Sequence, residues 1–178
     1  MVEELSATVT LTPWEYKACM DVAAARMATS NEAGWNHGST YKRTYLQRTQ
    51  EEIVGVCGEM AVARVLDCYW SPSVNTFHKE TDLPRSMEVR STAHLTGRLI
   101  VRENDPTDRI YVLVIGEPPT MTVVGWMLGA DARKDQWIEN PHGHRQAWFV
   151  PQDQLIPINH NESTPHPLEP KGIHEDHH

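Results

Sequence analysis

The chain changes texture at "SPS", residues 71–73. Helix-patterned stretches lie before it, and nearly every apolar run after it is strand-like. "TPWE" at 12–15 is a helix start: Thr12 caps, Pro13 suits the first turn, and Glu15 sits where a capping-box acid belongs. The Ala-rich "YKACMDVAAARMA" continues that helix, with Trp14, Ala18, Val22 and Ala25 as its core stripe, until "TSNEAGWNHGST" breaks it. A second helix is predicted from the mid-forties to about Leu66, with Ile53, Cys57, Met60, Ala61 and Val65 on one face. Gly55 and Gly58 each lower its propensity by about 1 kcal/mol, a cost tolerated where small residues let a neighbour pack close. "VNTF" (74–77), "MEVRS" (87–91), "RLIVRE" (98–103), "IYVLVI" (110–115), "MTVVGWM" (121–127) and "AWFV" (147–150) read as strands, with "TG", "NDPTD" and "EPP" as turns. Helices followed by a mixed, largely antiparallel central sheet predict an α/β fold of α+β-like character.

A chain of 178 residues suits a single domain, read as residues 1–158. From Asn159 the sequence is polar, rich in Pro and His and without periodicity, which reads as a disordered tail over 159–178. No run of about 18 apolar residues occurs, so no membrane-spanning helix is expected. The acids of "MVEELSATVTLTPWEY" do not fit a signal peptide, and the expected setting is soluble and cytoplasmic. Cys19, Cys57 and Cys68 form no CxxC pair and are expected as free thiols in a reducing compartment. A net charge of −8 argues against a protein that coats nucleic acid. The last twenty residues hold four acids against one Lys, however, so any nucleic-acid argument must be local.

"TDLPRSMEVRST" (81–92) crowds two acids and a cation at the start of a strand. Strand period sends Glu88 and Arg90 to one side and Met87, Val89 and Ser91 to the other. Val89 can then anchor in the core while Glu88 and Arg90 look into a cleft, joined by Asp82 after a bend at Pro84. A hard cation such as Mg²⁺ commonly takes one or two carboxylates from a protein and keeps several waters. Asp82, Glu88 and the Val89 carbonyl offer such a partial shell, with Arg90 beside it to steady a phosphate. The competing reading is a salt-bridged strand edge facing solvent. Glu59 is the acid within the apolar "GVCGEMAVARVL", an expensive position if buried alone. A metal site, a partner cation, or a wet helix face shared with Arg64 each accommodates it.

The set "GEMAVARVL", Asp82, Glu88-Val89-Arg90 and "IYVLVI", over about residues 50–127, resembles the PD-(D/E)XK nuclease superfamily. Its members carry a helix acid, an Asp leading into a strand, and an acid-x-Lys at the next strand. The resemblance implies a restriction-endonuclease-like core and Asp82 and Glu88 as metal ligands. It implies Glu59 as an auxiliary acid that either ligates or orients metal-bound water. The family's Lys is Arg90 here. A Lys can lose a proton and help activate water, whereas Arg stays protonated and can only donate and stabilise. Lys79 and His94 are neighbouring candidates for a substitute base. The function so implied is a Mg²⁺-dependent (or Mn²⁺-dependent) nuclease hydrolysing DNA phosphodiesters, of a compact kind suited to a phage or mobile element and compatible with a homodimer. The alternative is a degenerate nuclease scaffold that binds DNA or a protein partner without cutting, a reading motivated by Arg90 and the negative net charge.

"GWNHGSTYKRTYLQR" (34–48) holds Lys42, Arg43 and Arg48 with no acid, interleaved with Trp35, Tyr41 and Tyr45. Cations neutralise phosphates and aromatics stack on bases. The same residues also fit an ordinary helix start whose tyrosines pack inward. Arg85, Arg98 and Arg102 are further candidates for phosphate contacts, while Trp126 and Trp137 read as core or rim packing.

Overall fold

The computed structural model describes residues 6–32, 43–74, 81–140 and 146–158. Two helices, α1 (Pro13–Glu32) and α2 (Tyr45–Val65), form as the pattern predicts. Thr12 and Glu15 close the capping box of α1: the Thr12 N–H donates to Glu15 Oε2 at 2.7 Å, and the Glu15 N–H returns to Thr12 Oγ1 at 3.3 Å. Thr44 and Gln47 do the same for α2.

Seven strands follow or flank them: β1 (Ala7–Thr10), β2 (Met87–Thr92), β3 (Leu99–Arg102), β4 (Ile110–Glu117), β5 (Thr120–Leu128), β6 (Ile138–Glu139) and β7 (Ala147–Val150). The main sheet has the order β1-β5-β4-β2, with β2 and β4 parallel and the other pairs antiparallel. The chain is therefore a mixed α/β protein, as expected. The expected single central sheet is instead two, because β3 pairs with β7 and β7 with β6 in a separate antiparallel sheet. "VNTF" falls largely outside the described residues, as do 141–145 and the expected tail.

The layering explains the apolar runs. Ile110, Val112 and Val114 of β4 pack with Val56, Cys57, Ala61 and Val62 of α2. Tyr111, Leu113 and Ile115 pack with Leu99 and Val101 of β3 and Trp148 and Val150 of β7. A strand covered on both faces needs apolar side chains at every position, and "IYVLVI" supplies them. In β5 the register against β4 slips between Leu113 and Val114, leaving Val124 as an extra residue. Alternation resets there, so Trp126 joins the helix-side core and Met127 the opposite one.

Three details differ from the sequence reading. Trp14 is 81% exposed, and the buried side of α1 is Cys19, Ala23 and Met27. Alanines around the whole helix left the stripe weakly defined, and the helix is turned so that Arg26, next to Met27, also faces α2. β1 was not anticipated; it adds to the outer edge of β5, where Thr8 and Thr10 hydrogen-bond to Thr122 and Thr120. On α2 the buried set extends beyond the expected face to Val56, Gly58, Glu59, Val62 and Ala63, with Ile53 and Met60 only partly covered.

Gly58 is where α2 meets β2. A Cβ there would lie 1.9 Å from Ser91 Oγ and 3.0 Å from Ser91 Cβ, whereas one at Gly55 meets nothing within 4 Å. Gly58→Ala is expected to lose about 1–2 kcal/mol of unfolding free energy, overpacking outweighing the gain in helix propensity. Gly55→Ala is expected to gain about 0.5–1 kcal/mol. Urea unfolding of both variants tests the contact; equal effects would remove it.

Candidate active site

β2 is the last strand of its sheet, and the candidate acids gather around it. Met87 and Val89 point into the helix-side core. Glu88 and Arg90 occupy the opposite face, where the Arg90 guanidinium lies 5.3 Å from the centre of the Tyr111 ring. The alternation read from "MEVRS" thus holds, but Glu88 is buried rather than open, at 8% exposure.

Asp82 reaches the strand through a tight reversal. Leu83 bridges back to Met87, and Arg85 and Ser86 turn the chain with φ of 63° and 57°. Two consecutive non-glycine residues in the left-handed region are costly, and surrounding contacts must hold them. Thr81 Oγ1 donates to the Leu83 carbonyl at 2.8 Å, and the Ser86 carbonyl accepts from the Ile110 N–H at 3.1 Å. The result is that Asp82 Oδ2 accepts the Val89 N–H at 2.8 Å. Asp82 thus reaches β2 through the backbone amide of Val89, but the expected shared cleft is not formed by all three side chains: Asp82 lines it, and Glu88 and Arg90 are not among its lining residues.

Glu59 meets a partner cation. Arg26 donates from Nη1 to Oε1 at 2.7 Å and from Nη2 to Oε2 at 2.9 Å, and Trp70 Nε1 adds a bond to Oε2 at 3.3 Å. Arg64, the alternative partner on a wet helix face, pairs with Glu15 instead. Burial, together with the nearby Asp82 charge, pushes the Glu59 carboxyl up to about 7 against the pull of Arg26. Burial and Asp82 likewise raise Glu88, against the pull of Arg90 and Arg109. Both acids therefore feel Asp82.

Glu88 also has cations. Arg109 Nη1 donates to its Oε1, and Arg90 Nη1 stands 4.0 Å from its Oε2. Arg90 makes its closer bond to Asp105, at 3.0 Å. Sequence reasoning missed Arg26 and Arg109. Arg26 carried a faint signal, a lone cation in "AAARMA"; Arg109 carried none.

Asp82 and Arg109 line a cleft of about 540 Å³ together with Tyr69, Thr81, Ser86 and Asp108. By residue type Asp82 and Glu88 match the one or two carboxylates that Mg²⁺ takes from a protein. Asp82 lines the cleft, whereas Glu88 is buried beside it with its Oε1 bonded to Arg109 and its Oε2 4.0 Å from Arg90. Glu59 does not fit as a direct ligand in this arrangement, since Arg26 occupies both oxygens. Among the described residues, no group of three or more His, Cys, Asp and Glu side chains is placed to hold a metal ion.

The basic segment is seen in part. Tyr41 and Lys42 lie outside the described residues, as does Lys79. Arg43 pairs with Glu51 at 2.8 Å, Tyr45 is 57% exposed, and the Arg48 guanidinium lies 6.0 Å from the Tyr45 ring centre. Burial, with the charges of Arg90 and Arg43, lowers the Arg102 guanidinium from its ordinary value. Among the described residues all three thiols are free, and no helix is long and apolar enough to cross a membrane.

Comparison of the chain with known protein families, curated proteins and solved structures found no match.

Two outcomes follow from the buried pair. Arg26→Met is expected to lose about 3 kcal/mol, because it strands a buried carboxyl, and Arg26→Met/Glu59→Met to recover most of that. Denaturant unfolding measures both, and a double variant no better than the single one refutes the pairing. The second outcome concerns pH. A carboxyl raised from 4.5 to about 7 on folding contributes stability that is complete below 4.5 and is lost as pH rises through 7. The stability of the wild type relative to Glu59→Gln should therefore fall across that window; a constant difference would refute the raised value.

Proposed function

We propose that the chain is a divalent-metal-dependent nuclease with a restriction-endonuclease-like core, acting on DNA phosphodiester bonds. The observation that carries this reading is the position of Asp82: bonded to the Val89 amide, lining the cleft, and electrically coupled to both Glu59 and Glu88. Carboxylates held together against their mutual repulsion are a natural seat for a cation. Asp82 and Glu88 would hold Mg²⁺ or Mn²⁺, with the Val89 carbonyl as a further oxygen ligand. When bound, the ion would polarise the phosphoryl group and lower the pKa of the attacking water.

The chain's own residues have distinct parts in this reading. Arg109 lines the cleft and orients Glu88 through its bond to Oε1. Arg90 contributes a permanent positive charge on the Glu88 face, suited to stabilising a phosphate and unsuited to removing a proton. Glu59, held by Arg26, is a positioning acid behind Asp82. The start of α2, with Tyr45 exposed and Arg48 beside it, would supply base and phosphate contacts, Arg43 being shared with Glu51.

A second reading rests on a specific observation. Arg26 and Arg109 already meet Glu59 and Glu88, so the charge a metal would balance is partly balanced by the protein. On that reading the scaffold binds DNA or a protein partner, alone or as a homodimer, and does not cut. Incubation with labelled DNA and Mg²⁺ or Mn²⁺ separates the two. The nuclease reading expects cleavage that falls more than about a hundredfold in Asp82→Ala and in Glu88→Ala, since even supporting residues of metal sites cost 10–100-fold. Cleavage unchanged by both variants would sink the assignment. DNA binding indifferent to metal, with no cleavage, would establish the second reading.

A further inference from the structure

We propose that the cleft beside Asp82 receives one unpaired nucleotide, with its base stacked on Tyr69, so that the strand recognised is single-stranded DNA. This inference rests on the nuclease reading of the same cleft and adds to it the form of the substrate.

Tyr69 lines the cleft yet is 74% exposed. It follows α2 by a short turn in which Asp67 takes φ of 48°. A large aromatic side chain left open to water next to a polar cleft offers a stacking face on one side of that cleft. Opposite chemistry surrounds it. Ser71 and Ser86 bring hydroxyl groups able to donate to and accept from a base edge, and Thr81, whose proton goes to the Leu83 carbonyl, can accept. Arg109, bonded to Glu88 through Nη1, brings a cation for the phosphate. Asp82, the proposed metal ligand, lines the same cleft, so a nucleotide seated on Tyr69 would bring its sugar-phosphate toward the reacting position.

The volume agrees. About 540 Å³ is within the range of sites that enclose a small organic ligand, and a single nucleotide falls in that class. Charge agrees as well. Duplex recognition draws its affinity from a broad basic surface along the phosphates. Locally, this cleft mixes Asp82 and Asp108 with Arg109 rather than presenting a row of cations. In a paired helix the base faces are covered by their neighbours, so a tyrosine gains a stacking partner only from an unpaired or extruded base. Stacking supplies affinity that the electrostatics of this cleft do not.

Fluorescence anisotropy with a labelled 12-nucleotide single strand and a blunt hairpin duplex of the same sequence tests the proposal on the full chain, with Ca²⁺ as the cation. The wild type should bind the single strand more tightly. Tyr69→Ala should weaken that binding by about 5- to 150-fold, the scale of losing one base stack. Tyr69→Phe, which keeps the ring, should stay within about twofold. Duplex binding should be the same in all three proteins, and their circular dichroism spectra should coincide. A Tyr69→Ala variant that binds the single strand as the wild type does, a preference for duplex, or no binding to either probe would overturn the inference. Its failure is separable from that of the nuclease reading. Metal-dependent cleavage lost in Asp82→Ala, with no effect of Tyr69→Ala on binding, removes this proposal alone. Tyr69-dependent binding without any cleavage removes the catalytic reading and leaves the nucleotide site standing.

Discussion

The guanidinium of Arg26 joins three segments that are otherwise separate in the chain. Its two terminal nitrogens grip Glu59 on α2, and its Nε donates to the Ser73 carbonyl at 2.9 Å. Two charges can be buried together only if their geometry satisfies both, and a bidentate fork on a carboxylate does so in one arrangement. Small buried residues such as Cys19, Ala23 and Cys57 also lie between the two helices and do little to resist sliding, while Arg26 reaches a second α2 acid, Glu52, at 3.5 Å. The ion pair therefore sets the register of α1 on α2. Through Ser73 it also fixes the strand of chain that leaves α2, the side from which Tyr69 and Ser71 enter the cleft.

Around β2 the charges alternate in a way that separates the acids by role. Glu59 has Arg26, and Glu88 has Arg109, with Arg90 further off. Asp82 is held differently, by a backbone N–H, and it faces the cleft. A carboxylate that accepts a single amide N–H has more of its lone pairs left for another partner than one gripped through both oxygens by a guanidinium. Asp82 is thus the acid best placed to meet something arriving from solvent, while the two glutamates set the field in which it does so.

Much of the architecture was legible because local patterns act alone there. Capping residues, strand alternation in "MEVRS" and the unbroken apolar run of β4 each follow from contacts within a few positions. What the sequence hid depends on distant partners. The pairing of β3 with β7, which divides the strands into two sheets, leaves no trace in the period of either strand. β1 is four residues, Ala-Thr-Val-Thr, whose partner lies more than a hundred positions on. The acids of the site stood out because each occupies a place where an acid is expensive. Their arginines did not, since Arg26 in an Ala-rich helix and Arg109 before a strand both resemble ordinary surface residues. Residues 34–48 carry no acid, but Glu51, three positions further on, neutralises Arg43.

The pairing of Ala7 with Val123 at the rim of the main sheet bears on how the chain is made. Synthesis delivers β1 first, then both helices, and β5 only after most of the domain has emerged. The helix pair can close early, since α1 and α2 are near neighbours in the chain and their ionic lock needs nothing further downstream than Glu59. β1 has to wait beside them with its backbone groups unpaired. Its threonines suit that interval, because a strand with a polar outward face stays hydrated and resists premature association until its proper neighbour arrives. The order of emergence thus gives the early helices a second task, keeping the first strand in place for a sheet that does not yet exist.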